Sequence, residues 1–516
     1  MQIMTADEIA ERIRKVSVAE FFEKNRHLLG YENPTKSLLT VVKESVDNAM
    51  DAAVEARILP TIKVTVKQLA ENKFRVKVED NGPGLTPNKI PIAFGKFLVG
   101  SKFHRLRQSF GLHGIGVKGA ILYAQLTTGK HTKITTYYKQ KEHNFELMID
   151  VLRNEPQVLS HEVKKIDGSK HGLSVEMIVE GRYIRGRQSI PTYLKYLSIA
   201  NPYAKIIYNG PDERIVFERT TNKLPPLPKE IKPHPYGVEL GKLKRMLKLT
   251  KYKNMVSFLK NEFSRITKPK AKRICKLARI PQSRKPQEVT HKEAEKLHKV
   301  LQAVKLRAPP TNCLSPLNEE MLIASMKKEF PAEFYTAVVR DPSVYRGFPF
   351  QVQVALAYGE NLPYNQATLL RFANHTPLLY HQSECAITKA AQQINWRNYG
   401  LSQSEGSLPN APLVILVDFL SVWIPYTSEG KQAIANYPEI IKEIKLALQE
   451  AGRELGRFLR KKAKIRESRL RKELFERYIP EVAKSLEILT RIKAMDIRKK
   501  LEDIIRKKAV PKIEEV

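Results

Sequence analysis

The sequence predicts a multidomain α/β protein, and three observations carry that reading. Strand-like segments of period two alternate with amphipathic helical segments through the first part of the chain. Two proline-rich breaks, LPPLPKEIKPHPYG at 224–237 and RAPP at 307–310, enclose a compact basic helical stretch. The 516 residues, 42% of them hydrophobic, exceed what one core usually gathers.

Taken in order, residues 1–228 read as an α/β sandwich. A helix is expected over 37–56, then TIKVTVKQL and FRVKVED alternate about a short AEN turn, as a hairpin does. KITTYY, NFELMIDV and LSVEMIVE are further strand candidates, with helices near 87–98, 114–125 and 184–199. Residues 229–307 form a small helical insert containing KLKRMLKLTKYK and KPKAKRICKLAR. Over 308–465 strands return in FPFQVQVALAYG, ATLLRFAN and APLVILVDFL. The remainder, 466–516, is a basic helical tail; between Arg453 and Lys472 there are ten Lys or Arg against two Glu.

The bulk charge narrows the partners. Lys+Arg 89 against Asp+Glu 54 leaves +35, which suits a polyanion, most simply nucleic acid, although a generally basic proteome gives the same balance. Cys275, Cys313 and Cys385 are scattered without a CxxC pair, so neither a zinc ribbon nor a disulfide framework is expected. APLVILVDFLSVWIPY at 411–426 is short for a bilayer and carries Asp418, so a buried strand is expected rather than a span. The opening MQIMTADEIAERIRK lacks the apolar core of a signal peptide. The expected location is the cytoplasm, near the nucleoid, or the nucleus in a eukaryote, with no membrane contact.

Chemistry concentrates in three places. In ESVDNAMDA, at 44–52, Leu39, Val42, Val46, Met50 and Ala53 share one helical stripe, while Glu44, Asn48, Asp51 and Glu55 gather opposite. A solvated acidic face explains that spacing as well as a ligand does. FRVKVEDNGPGL puts Asp80 at a strand end before Gly82 and Gly84, where the backbone can turn sharply and a flat ligand can come close. An ordinary hairpin turn reads the same way. FGLHGIGVKGA, at 110–120, runs glycines into a helix start, where free N–H groups and the helix dipole favour a phosphate chain. GIGVKG also fits GxGxxG, but the loop-like SKFHRLRQSF precedes it where a dinucleotide fold needs a buried strand, and no Walker pattern is present.

The order of these motifs resembles the nucleotide site of the GHKL ATPases, whose Bergerat fold is an α/β sandwich. The resemblance implies ATP and Mg2+ as cofactors. It implies Glu44 as the general base, Asn48 as the magnesium-holding amide and Asp80 as the adenine-reading acid, with Gly82 and Gly84 beside it. It further implies a phosphate loop of Gly111, Leu112, His113, Gly114, Ile115, Gly116, Val117 and Lys118, and a lid contact at Ser101 and Lys102. HGLSVEM departs from the superfamily pattern, with Leu173 in place of a threonine and Ser174 beside it, so a fourth nucleotide contact is not carried over.

Beyond that unit, KPHPYGV, RFANHTPLLY, NWRNYG and IPYTSEGKQ are similar to the B subunits of type IIB DNA topoisomerase VI over nearly the whole chain. The similarity implies a helix-two-turns-helix insert and a transducer domain of ribosomal-S5-like type. It implies Lys431 as a lysine that reaches the γ-phosphate, and Trp396, Arg397 and Tyr399 as DNA-contact candidates, although a Trp and Tyr packed in a core fit equally well. The implied partners are a DNA-cleaving A-type subunit in an A2B2 heterotetramer, a second copy of this chain on ATP binding, and double-stranded DNA. The alternative is an ATP-dependent DNA clamp or scaffold of the same superfamily without strand passage. The tail grips DNA or docks a partner through Leu474, Tyr478, Ile479, Val482 and Leu486.

Overall fold

A computed structural model describes residues 16–100, 105–111, 114–166, 170–428 and 430–508. After a short helix α1 (Val18–Lys24), α2 (Pro34–Glu55) begins where the Asn33 side chain accepts the Lys36 N–H at 2.9 Å and Pro34 stands in the first turn. Its predicted stripe, Leu39, Val42, Val46, Met50 and Ala53, is buried.

Strands β1 (Thr61–Ala70) and β2 (Lys73–Asp80) pair antiparallel with Val64 opposite Val78, which puts their alternating valines on one face. Four more strands extend that side: β3 (Thr132–Tyr138), β4 (Lys141–Asp150), β5 (Glu155–Lys165) and β6 (Leu173–Glu180). With β7 (Lys205–Asn209) and β8 (Arg214–Phe217) the sheet order is β5-β4-β3-β6-β2-β1-β7-β8, and β1 runs parallel to β7. The apolar face is covered by α2, α4 (Gly116–Thr128) and α5 (Ile190–Ala200).

Three local expectations shift. The helix expected over 87–98 shrinks to a 3-10 turn at Pro87–Lys89 and the six-residue α3 (Ile90–Gly95). The helix expected from 184 starts at Ile190, where Ser189 caps the Thr192 N–H after Gly186 turns the chain at φ 99°. Strand β5 went unforeseen because it is an edge strand exposed along most of its length and carries no clean alternation.

The insert contains α6 (Leu240–Leu249), α7 (Met255–Glu262), α8 (Lys268–Ala278) and α9 (His291–Ala303) around a core of its own that includes Leu243, Phe258, Ile274 and Leu297. Beyond it, α10 (Glu319–Glu329) leads into β9 (Phe334–Val339), β10 (Ser343–Tyr345), β11 (Phe348–Tyr358), β12 (Thr368–Ala373), β13 (Thr376–Pro377), α11 (Ala386–Gln392) and β14 (Leu413–Ser421). Their sheet runs β10-β11-β14-β12-β13, with β9 also on β11. Every residue of β14 is buried, Asp418 included. One core cluster runs from the first sheet to Leu322 and Met326 of α10 and Ala355, Leu370 and Phe372 of the second sheet, so the two α/β units are packed together. Helix α12 (Pro438–Thr490) then continues unbroken past residue 465 before α13 (Ala494–Lys508). No helix among the described residues is long and apolar enough to cross a membrane.

Candidate nucleotide site

A cavity of about 620 Å³ opens where β2 ends, α2 passes beneath and α4 begins. Asp80 lines it, with one carboxylate oxygen accepting the Gly82 N–H at 2.8 Å. Burial pushes its pKa up to about 6, against the pull of that bond. Gly84 lines the cavity beside it. Gly172, on the chain entering β6, holds φ 120° with the Asp80 carbonyl 2.0 Å from where a Cβ would sit, so no other residue fits there without moving the Asp80 backbone. Asp80 pairs with Leu173 across the sheet, and the pleat turns Leu173 and Val175 into the cavity while Ser174 takes the opposite face. The pocket wall beside the acid is therefore apolar, which suits a purine face.

The acidic side of α2 is not simply wet. Glu44, Asp47, Asn48 and Glu55 border the cavity. Lys43 donates to Glu44 and to Asp47, each at 3.0 Å, and Tyr193 of α5 donates its hydroxyl to Asp47 at 2.7 Å. Burial opposes the Lys43 charge, but Asp47 and Glu44 beside it outweigh that and hold its ammonium protonated, far above the usual lysine range. Asp51, buried, accepts the N–H groups of Phe110 at 3.4 Å and Gly111 at 3.2 Å. Glu55 pairs with Arg105 at 3.0 Å and also with Arg107. Asn48 remains exposed on the cavity wall.

Helix α4 opens toward the same space. Its first residue is Gly116, its cap Ile115 offers no side-chain bond, and the N–H groups of its first turn are therefore available to an anion. A Cβ at Gly116 would stand 1.8 Å from Glu44 Oε2, so glycine is what lets the carboxylate lie against the helix start. Gly111, Gly114, Ile115, Val117 and Lys118 line the cavity too. Lys118 donates to the Val99 carbonyl, and burial brings its pKa down to about 8. Ser101, Lys102, Leu112 and His113 lie outside the described residues. From the second α/β unit Lys431, at φ 51°, reaches the rim of this cavity.

The donor set fits a nucleotide-borne cation. No cluster of three or more His, Cys, Asp or Glu that could cage a metal occurs among the described residues. Magnesium commonly takes phosphate oxygens and waters with only one or two protein oxygens, and the exposed Asn48 amide would be able to supply one.

Residues 36–173 match the family model for histidine kinase-, DNA gyrase B- and HSP90-like ATPases, and 309–471 match that for the topoisomerase VI B subunit transducer. The B subunit of the type 2 DNA topoisomerase 6 of Archaeoglobus fulgidus is 46% identical over 477 residues, covering 92% of this chain and 79% of the relative. Its counterpart from Pyrococcus horikoshii is 37% identical, covering 94% of this chain and 93% of the relative. The chain belongs to the topoisomerase VI B-subunit family. Among solved structures, the ATPase region of Saccharomyces cerevisiae topoisomerase II covers 87% of this chain at TM-score 0.41 and 10% identity.

Within the family's transducer region, one expectation needs correction. Trp396 is fully buried, its indole N–H donates to the Ala391 carbonyl at 3.0 Å, and its ring meets Tyr399 edge-on at 6.1 Å. It has no free face for a base. Tyr399 packs on α12, where a Cβ at Gly452 would come within 2.6 Å of its ring. Only Arg397 is exposed, and its guanidinium donates to the Gln403 carbonyl at 2.9 and 2.6 Å. The residues missed from sequence are Lys43 and Tyr193: Tyr193 lies 146 positions from Asp47, whereas Lys43 stands four residues before Asp47 on α2, a helical spacing that could have shown the pair.

Proposed function

We propose that this chain is the ATP-binding and hydrolysing B subunit of a type IIB DNA topoisomerase, which uses nucleotide state to gate DNA strand passage by a DNA-cleaving A subunit. One observation carries the reading: Glu44, Asn48, Asp80 and the uncapped start of α4 converge on a single cavity that Lys431 enters from the other unit.

The roles follow from placement. Asp80 accepts a hydrogen bond from the exocyclic amine of adenine, with Leu173 and Val175 against the ring. The N–H groups at the start of α4 face the triphosphate, and Lys118 adds a charge that an arriving anion restores in full. Bound magnesium, held through Asn48, would neutralise phosphate charge. Glu44, held by Lys43 at 3.0 Å, orients the attacking water and takes its proton. Lys431 senses the γ-phosphate, whose loss on hydrolysis frees the transducer.

Nucleotide binding brings two copies together, and with the A subunit they form an A2B2 assembly. The +35 charge supplies the electrostatic hold on duplex DNA, through the helical insert and the tail, and that hold weakens steeply with salt. Family membership favours this reading over a free-standing GHKL clamp without strand passage. The test is a relaxation assay with both subunits, ATP and magnesium. ATP-dependent loss of supercoils, abolished by Glu44→Ala, is expected; supercoiling that does not respond to ATP would exclude it.

A further inference from the structure

The turn joining β12 to β13 is two residues long, Asn374 and His375, with φ 49° and 64°. Two successive left-handed residues make the hairpin turn whose twist matches the strands, and Asn tolerates that conformation better than most side chains. Both residues are buried, and the tip of the turn enters the ATPase unit rather than solvent. Asn374 accepts the Ser421 N–H at 2.9 Å and donates to the Ser421 carbonyl at 3.0 Å, which ties it to the end of β14. Its amide also donates to the Ser109 carbonyl at 3.1 Å. Because both carbonyls need a donor and Ser421 N–H needs an acceptor, only one orientation of the amide satisfies all three.

Ser109 belongs to the segment that leads to Gly111 on the cavity wall. That segment has other anchors. Gln108 donates its N–H to the Cys313 carbonyl at 2.9 Å and accepts the Ser315 N–H at 2.7 Å through Oε1. The Ser315 carbonyl lies 2.9 Å from His375 Nε2, and Asn201 of the ATPase unit donates to the His375 carbonyl at 3.0 Å. On the other side Asp51 accepts from Phe110 and Gly111. The stem of the phosphate loop is therefore held between α2 and the transducer, at a place separate from Lys431.

We propose that Asn374 and Gln108 are positioning residues for ATP turnover, fixing residues 108–111 from the transducer so that the γ-phosphate end of the cavity is aligned only when the two units are docked. The inference rests on the ATPase reading above. Because residues 108–111 lead into the proposed phosphate loop, while Asp80 is held by the Gly82 N–H and its pairing with Leu173, losing either anchor should spare diphosphate binding and penalise recognition of the third phosphate.

The experiment uses the full chain with magnesium, calorimetric titration of ADP and of a nonhydrolysable ATP analogue, and steady-state hydrolysis. Asn374→Gly removes the amide while suiting the left-handed turn; Gln108→Ala removes the side-chain bond to Ser315, keeping the backbone bond to Cys313, and decides the matter if the first variant fails to fold. Each variant should bind ADP within about twofold of wild type, bind the analogue roughly tenfold more weakly and lose about tenfold in kcat, on the scale of the single hydrogen bond that each removes from residues 108–111. Equal weakening of both nucleotides, as from general loosening, or no change in either, would overturn the proposal. A wild-type chain that binds neither nucleotide overturns the ATPase reading and this inference with it.

Discussion

Gly116 and Glu44 touch so closely that the glycine's missing Cβ would fall 1.8 Å from the carboxylate oxygen Oε2. A methyl group there must displace either the carboxylate or the start of α4, and both belong to the proposed phosphate end. Gly116→Ala should reduce ATP hydrolysis by about a hundredfold or more, on the scale of removing one set of transition-state donors. The chain should remain folded by circular dichroism. Hydrolysis within twofold of wild type would show that Glu44 has room to move without cost.

Lys43 separates two carboxylates in a nearly closed space, with side-chain exposures of 13% for itself, 15% for Glu44 and 4% for Asp47. Lys43→Met would leave Glu44 and Asp47 facing each other without their shared cation. Breaking such a pair costs roughly 3 kcal/mol, which urea unfolding can measure. Tyr193→Phe removes only one donor to Asp47 and should cost about 1.5 kcal/mol, less than loss of the shared cation. If the two variants unfold at the same urea concentration, the cation is not what holds the acids together.

On the proposed reading, Asp80 should give nucleotide affinity a pH dependence. Its pKa is lifted to about 6 chiefly by burial, and the ionised form is the stronger acceptor for the adenine amine. Affinity for ADP should hold near neutrality and fall about fourfold between about pH 7 and about pH 5.5, as the carboxyl takes up its proton. Asp80→Asn should bind weakly and lose the dependence. A flat wild-type profile over that range would mean that the neutral acid reads adenine equally well.

His375 and Asp418 predict the opposite kind of slope, in stability. Burial works against the imidazolium, but the Asp418 carboxylate 2.6 Å away and the Ser315 carbonyl together raise its pKa above the ordinary value. Gln353 and the His375 N–H also donate to Asp418, at 3.3 and 3.2 Å. With the folded pKa above the unfolded one, the pair's contribution is complete below about pH 6.5 and is lost as pH rises through the folded value. The urea midpoint should therefore fall on the alkaline side, and His375→Gln should flatten that fall. An unchanged slope in the variant would assign it to other groups.

The legible parts of the fold were those whose own periodicity decides their packing. The α2 stripe from Leu39 to Ala53 and the β1–β2 hairpin needed only local pattern. Strand β5 did not show because an exposed edge imposes no alternation, and the boundary expected at 465 falls within α12, which charged residues extend as readily as apolar ones. At the site, Glu44, Asn48, Asp80 and the glycines of α4's start could be found by motif order, and all border one cavity. What holds them could not. Asp51 reads as a solvated acid until its partners, the Phe110 and Gly111 N–H groups, are brought in from some sixty positions away. The pleat likewise turns Leu173 rather than Ser174 toward the cavity, and burial leaves Trp396 no exposed ring face.

The most direct test of the central claim is calorimetric titration of a nonhydrolysable ATP analogue, with magnesium, into the full-length chain and into its Asp80→Asn and Glu44→Ala variants. Saturable binding by wild type, retained by Glu44→Ala while its hydrolysis disappears and weakened at least tenfold by Asp80→Asn, is the predicted result. Binding that is absent from wild type, or indifferent to Asp80, would contradict the assignment of this cavity to ATP.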